Sequence, residues 1–424
     1  MQAGSGNKLY SIVIPTRERH DVLQHTIQTV LRQTRTNFEI VVMDNFSSPE
    51  TKAVADQFAS PHIRYVRAPE RLTMTGNWEL GLSHARGDYV SILGDDDGML
   101  PDAVEVAEHL HAKWPDRALT WKPLIWFWPD FIRDVDRAHF SGHLSSRVEI
   151  RQTRDVLKRV LASSVNYMEL PTLYYSFVPR PMIESIRASR GRYFGSVVPD
   201  IYSGMVNAIS APDYLYSFRP LSVIGISKHS TGMSSVYSEI DSTSFDLFKK
   251  EHGGSWDETL DPRLVGAYIP EVKIADGYLQ LKRDEFPNDK DIEFDMPAFL
   301  HSLCRIASRY SVRHAEVEAA IQEMIVRNKL NPANFKVAPP VKGGELHKFS
   351  YSINRDLDLV NMHYYTNSQY VRTIDDLVAN VGQMSVPAAR LKIVDVRTGA
   401  PARNALPPVR RIVSAVMRRL RPAL

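Results

Sequence analysis

The stretch Ile92-Leu93-Gly94-Asp95-Asp96-Asp97-Gly98 ends a short apolar run in three consecutive carboxylates. Adjacent carboxylates repel one another and are costly to desolvate, so acids at the exit of a core strand call for cations. Hard oxygen ligands suit Mg²⁺ or Mn²⁺, and Mg²⁺ is usually held by one or two carboxylates together with substrate phosphates. The chemistry on offer is divalent-metal binding beside a nucleotide diphosphate. The alternative is a solvated acidic turn, since Asp and Gly are ordinary turn residues.

Such acids need a rigid support, and the residues around them supply one. Tyr89-Val90-Ser91-Ile92-Leu93 is β-branched and aromatic enough for a buried strand. Before it come a strand at Tyr10–Ile14 broken by Pro15-Thr16, a helix over Asp21–Gln33, and a strand at Phe38–Met43 closing on Asp44-Asn45. A helix opened by Ser48-Pro49-Glu50, a strand at Ile63–Val66 and a helix over Gly76–Ala85 complete the series. This alternation predicts an α/β fold, a mainly parallel sheet with helices on both faces, and ligands at the carboxyl ends of its strands. Pro15-Thr16, Asp44-Asn45 and the three acids all lie at that edge.

Composition narrows the class. A chain of 424 residues with 43% hydrophobic and 24% charged residues reads as a soluble globular protein of two or three domains. The net charge of +3 gives no ground for a nucleic-acid partner. Cys304 is the only cysteine, so no intramolecular disulfide forms, which fits the cytoplasm; a small core residue is its expected role. No apolar run approaches the roughly 20 residues that span a bilayer, and Met1 to Lys8 has no signal-peptide core.

Ser11 to Arg19, Ile40 to Ser48, Gly76 to Leu82 and Gly87 to Pro101, in this order and spacing, resemble family 2 glycosyltransferases. The resemblance is good over about the first 110 residues and weaker to about residue 232. It implies a GT-A fold, a nucleotide-sugar donor with UDP favoured, usually a divalent metal (Mn²⁺ or Mg²⁺), and displacement with inversion at the anomeric carbon. On the matching positions it places Pro15, Thr16 and Glu18 at the nucleoside and has Asp44 accept a hydrogen bond from the base. Arg71 and Asn77 fall in the stretch that contacts base or phosphate. Gly94 stands where the usual first Asp would be, so Asp95 faces the ribose, Asp96 is the principal metal ligand, and Asp97 ligates directly or holds a metal-bound water.

The family usually carries an acidic pair opening a helix where this chain has Val198-Pro199-Asp200. Pro199 replaces the first acid, leaving Asp200 as the candidate base that deprotonates the acceptor hydroxyl, or as the cap of that helix. His229 sits where some GT-A enzymes take a further metal ligand, and Lys228 is a possible phosphate contact. A strand is expected at Thr172–Val178 and another at Ser222–Ile226. Trp121, Trp126, Phe127, Trp128 and Phe131 cluster closely enough for a sugar-stacking platform, although core packing is the first expectation.

The expected organisation is a glycosyltransferase domain over 1–240, with 1–110 binding the nucleotide sugar and 111–240 forming the acceptor side. A polar exit at Ser242–His252 leads to a mainly helical extension over 241–400, with helices across Ala298–Leu330 and a loop at Pro339–Gly344. In the tail, 401–424, Val409, Ile412, Val413, Val416, Met417 and Leu420 recur at helical spacing among arginines. Such a basic amphipathic helix suits the anionic inner face of a membrane or a packed surface. A saccharide or lipid-linked acceptor follows from the resemblance. The competing readings are a nucleotidyltransferase, although Pro15–Arg19 lacks the glycines of a triphosphate loop, and a non-catalytic nucleotide-binding scaffold at the membrane.

Overall fold

The computed structural model describes residues 8–132, 136–230, 246, 250, 260–266, 269–310, 313–340, 350–354, 356–366, 369–384 and 386–397. The tail helix, most of 242–252, Gly232 and most of the 339–344 loop lie outside them.

The chain opens as its pattern predicts, with β1 (Tyr10–Thr16), α1 (His20–Leu31), β2 (Phe38–Asp44), α2 (Pro49–Asp56), β3 (Ile63–Arg67), α3 (Met74–His84) and β4 (Tyr89–Ile92). These strands pair in parallel in the order β4-β1-β2-β3. Period-two alternation assigns their side chains to opposite faces. Val13, Val41, Met43, Val90 and Ile92 enter one core with Trp78 and Leu82 of α3. Tyr10, Ile12, Ile14, Ile40 and Val42 enter the other with Leu23, Ile27 and Val30 of α1. Helices therefore cover both faces.

The sheet continues through later strands to nine in all: β4 is followed by β10 (Ser176–Pro179), β6 (Leu119–Trp121), β11 (Asp213–Ser217), β9 (Arg147–Gln152) and β15 (Lys392–Asp395). A second, largely antiparallel sheet was not foreseen. It runs β13 (Ser350–Asn354), β14 (Leu359–Tyr365), β8 (His139–Ser145), β7 (Leu124–Phe127), β12 (Ser222–Ile226), β5 (Gly98–Met99). Its strands are short or lie far apart in sequence, so only long-range pairing defines them. The aromatic cluster is core: Trp121, Trp126, Trp128 and Phe131 are all buried.

The remaining helices are α4 (Ala103–His111), α5 (Thr153–Leu161), α6 (Arg180–Arg190), α7 (Pro199–Ser210), α8 (Pro270–Glu285), α9 (Met296–Ile306), α10 (His314–Arg327) and α11 (Ile374–Val381). The last four make the region after 241 mainly helical among its described elements. Phe299, Leu303, Val317, Ala320, Ile321 and Ile325 form a core of their own with Cys304. The region is also woven into the rest, because β14 pairs with β8, β15 with β9, and α8 packs on α7. No described helix is long and apolar enough to cross a membrane.

Two buried histidines give the fold a pH signature. His111 stacks on Tyr89 with centroids 3.8 Å apart and meets the Tyr10 hydroxyl at 3.1 Å, while His143 is buried in β8. Burial pushes each imidazole down to about 3. As pH falls below the ordinary value of about 6.5, the unfolded chain takes up these protons and the folded chain does not, so stability declines. The slope is about 1.4 kcal/mol per pH unit for each histidine. His111→Phe keeps the stack and should flatten the loss of melting temperature between pH 6 and 4; an acid limb as steep as that of the wild type would refute this origin.

Candidate active site

Parallel register builds the site. Val13 pairs with Ile92, and three residues further on Thr16 lies beside Asp95, its Oγ1 donating to Asp95 Oδ2 at 2.8 Å. Thr26, on the buried face of α1, donates Oγ1 to the carbonyls of both Asp95 (2.8 Å) and Asp97 (2.7 Å). Trp128 Nε1 donates to the Asp96 carbonyl at 3.1 Å. A helix, a strand end and an indole thus fix the backbone of the acid loop.

The three carboxylates have different surroundings. Asp95 is held by Thr16 and, at 3.4 Å, by Arg19 Nη1. Asp96 Oδ2 accepts Arg19 Nη2 at 2.6 Å and Ser227 Oγ at 2.7 Å, leaving Oδ1 outside these bonds. Burial pushes Asp95 up to about 6 despite Arg19. Asp97 turns inward and is 2% exposed. Its oxygens accept Gly225 N (2.8 Å), Gly94 N (3.1 Å) and the Tyr174 hydroxyl (2.7 Å). Burial pushes Asp97 up to about 7. Asp97, expected to ligate metal directly or to hold a metal-bound water, has its oxygens engaged in tying the loop to β12 and to Tyr174.

Gly94 follows from the same packing. A Cβ there would lie 2.2 Å from the Tyr174 hydroxyl and 2.8 Å from Asp97 Oδ2, so no aspartate fits.

At the ends of β1 and β2 the loops are zipped together. Glu18, at φ 54°, donates its N–H to Ser47 Oγ at 2.9 Å, and its carboxylate accepts Ser48 N at 3.1 Å. Arg71 lies 3.7 Å from Glu18 with half its side chain exposed. Asp44 is fully buried, accepting the Tyr65 hydroxyl at 2.5 Å and Ser47 N at 3.0 Å.

Asn77 and Lys228, both expected on the donor side, have partners within the protein. Thr73 caps α3 by accepting Gly76 N at 3.1 Å, which places Asn77 on the buried stripe, its Nδ2 3.4 Å from the Met43 carbonyl. Asn77 Oδ1 is buried without a hydrogen-bond partner among the described residues. Lys228 pairs with Asp130 at 3.4 Å. His229 joins the site through its carbonyl, which Arg19 Nη1 approaches at 3.3 Å. Among the described residues no group of three His, Cys, Asp or Glu side chains gathers as a metal cage.

Across the site, Pro199 opens α7, and Asp200 lies in its first turn, with Val198 and not Asp200 at the cap position. The Tyr167 hydroxyl donates to Asp200 Oδ2 at 3.3 Å, and burial raises the carboxyl above its ordinary value. The segment expected as a strand at Thr172–Val178 begins instead as a 3-10 turn, Leu173–Tyr175, because Thr172 Oγ1 accepts Tyr175 N at 3.3 Å. This turn joins the two halves of the site. Leu173 N donates to Ser203 Oγ of α7 at 3.0 Å, Tyr174 donates to Asp97, and burial raises the Tyr175 hydroxyl well above its ordinary value, with Tyr167, Asp97, Asp200 and Asp96 adding to it.

Residues 11–118 match the model of glycosyl transferase family 2. This part of the chain belongs to the family 2 glycosyltransferases. Its sheet is mainly parallel, with helices on both faces. Over 97 residues the glycosyltransferase segment is 31% identical to a GalNAc(5)-diNAcBac-PP-undecaprenol beta-1,3-glucosyltransferase of Campylobacter jejuni, covering 22% of this chain and 31% of that protein. It is 26% identical over 98 residues to the Escherichia coli UDP-Glc:alpha-D-GlcNAc-diphosphoundecaprenol beta-1,3-glucosyltransferase WfgD, covering 23% of this chain and 39% of that protein. The chain thus spans about a third of the length of the curated relatives it matches. Among solved structures, Staphylococcus aureus TarS aligns with 12% identity and a TM-score of 0.41 over 76% of this chain and 53% of that chain. A Pyrobaculum calidifontis mannosyltransferase in complex with GDP-Man and Mn²⁺ aligns with 14% identity and a TM-score of 0.38 over 76% and 81%.

Proposed function

We propose that this protein is an inverting glycosyltransferase that moves a sugar from a nucleotide diphosphate sugar, with UDP favoured, to a hydroxyl of a saccharide or lipid-linked acceptor. The observation that carries this reading is that the Leu173–Tyr175 turn ties the acid loop at the carboxyl edge of the sheet, through Asp97, to α7, the helix whose first turn carries the buried carboxylate Asp200. The names of the Campylobacter and Escherichia relatives favour a lipid-linked acceptor. Contact with a membrane through the basic tail accords with such an acceptor.

The residues fit a divalent ion. Adjacent hard carboxylates, with Asp96 Oδ1 outside the protein's own hydrogen bonds, are what Mg²⁺ or Mn²⁺ uses when phosphates complete its shell. Asp96 would hold the ion with Asp95 beside it; when bound, it offsets the charge on the departing diphosphate.

The protein's own groups supply the rest. The zipped loops at Pro15, Thr16 and Glu18, with Asp44 beneath and Arg71 exposed above, form the nucleoside wall. Asp200 removes the proton of the acceptor hydroxyl as that oxygen bonds to the anomeric carbon and the bond from that carbon to the phosphate oxygen breaks. A carboxylate raised by burial takes that proton more readily than an exposed one.

A thermal-shift screen of UDP, dTDP, GDP and CMP, each with and without Mn²⁺, tests the reading on wild type and Asp96→Ala. A ligand at 100 times its dissociation constant adds about 2.7 kcal/mol of stability. One nucleoside diphosphate should stabilise the wild type and lose that effect in Asp96→Ala. No stabilisation by any of the four at saturation would overturn the donor assignment.

A further inference from the structure

We propose that Arg19 is a resident counter-cation that locks the Asp95-Asp96 pair against free divalent metal, so that metal enters only with a nucleotide diphosphate. The lock concerns the donor site proposed above and rests on that reading.

Arg19 has a built position. It is the cap residue of α1, and its side chain, 14% exposed, reaches back under the acid loop. Nη2 bonds both Asp96 Oδ2 (2.6 Å) and Ser227 Oγ (2.7 Å), and Nη1 lies 3.4 Å from Asp95 Oδ1 and 3.3 Å from the His229 carbonyl. One guanidinium thereby spans both acids and the loop after β12. The flanking carboxylates hold it firmly protonated against the cost of burial.

Charge and geometry then set the order of binding. With Arg19 in place, two carboxylates share one fixed positive charge and Asp96 Oδ2 is saturated. A free Mn²⁺ would face a like charge a few ångströms away, with Asp96 Oδ1 and Asp95 Oδ1 as its protein ligands and water for the rest of its shell. A diphosphate changes both conditions, adding negative charge and further oxygens. Arg19 also has a donor in reserve: Nε is buried and has no acceptor among the described residues. Guanidinium groups bind phosphate oxygens through paired N–H donors, so an incoming phosphate gives this donor a partner.

Mn²⁺ binding followed by electron paramagnetic resonance, without nucleotide, reads the lock directly. Wild type should bind weakly. Arg19→Gln, which keeps polarity but removes charge, should bind one Mn²⁺ at least tenfold more tightly, and adding Asp96→Ala should abolish the gain. Arg19→Lys keeps the charge and should exclude Mn²⁺ as wild type does. Equal titrations of wild type and Arg19→Gln, or a gain in Arg19→Lys as large as in Arg19→Gln, would overturn the proposal. Should Arg19→Gln fail to fold in a melting control, the wild type still decides: UDP must raise its Mn²⁺ affinity at least tenfold, and unchanged affinity with UDP bound would overturn the lock. A gain in Arg19→Gln with no nucleotide bound by any form would instead overturn the donor reading, and with it entry of metal with a nucleotide, and leave standing only the exclusion of free metal by Arg19.

Discussion

Asp200→Asn should lower turnover by about 10²–10⁴-fold while leaving donor affinity unchanged. The substitution preserves shape and the Tyr167 contact and removes only the ability to take a proton, so binding measured by calorimetry or thermal shift acts as the control. The pH profile adds a second readout. A base must be ionised to work, and burial raises Asp200 above its ordinary value. The acid limb of kcat/KM should therefore lie at higher pH than an exposed aspartate would give and should vanish from the residual activity of Asp200→Asn. Loss of donor affinity together with turnover would make Asp200 a structural residue of α7. Unchanged turnover would place the base elsewhere.

Gly225→Ala should be nearly as damaging, for a steric reason. Gly225 sits in β12 opposite Trp126 of β7 and donates its N–H to Asp97 Oδ1. A Cβ there would lie 1.8 Å from the Asp96 carbonyl oxygen and 2.7 Å from Trp128 Nε1. The nearest obstacle is backbone, which has no rotamer to retreat into. Relief requires β12 to separate from the acid loop, breaking the Trp128–Asp96 and Gly225–Asp97 bonds together. Overpacking of this kind costs typically about 1–3 kcal/mol. The loss of fixed geometry at Asp96 should lower nucleotide–Mn²⁺ affinity as well as melting temperature. A variant that melts like the wild type and binds nucleotide normally would show that this contact does not position Asp96.

These two residues illustrate how unevenly the site is written in the chain. Asp200 is visible as a lone acid behind a proline at a helix start. Gly225 reads only as a residue in a strand, since its reason for being glycine lies in the acid loop 129 residues earlier. The same holds for Arg19, whose partner Asp96 is 77 residues away, and for Tyr174, whose partner Asp97 is likewise 77 away. Local pattern favoured a strand through Tyr174, and a threonine cap together with a buried carboxylate turned it into a 3-10 turn.

What the sequence by itself determined is the αβ series of the first hundred residues and the edge at which its chemistry gathers. Buried parallel strands are continuous apolar runs, their helices carry apolar residues at helical spacing, and strand ends announce themselves by Pro15-Thr16, Asp44-Asn45 and the three acids. What only the tertiary structure decided is which of those acids is available. Asp95, Asp96 and Asp97 are identical in chemistry and adjacent in sequence. Their surroundings separate because Arg19 and Ser227 approach one, Thr16 and Arg19 another, and two backbone N–H groups with a tyrosine the third. A carboxylate's function is set by which donors reach it, and those donors come from strand ends, a helix cap and a turn that meet only when both sheets have closed.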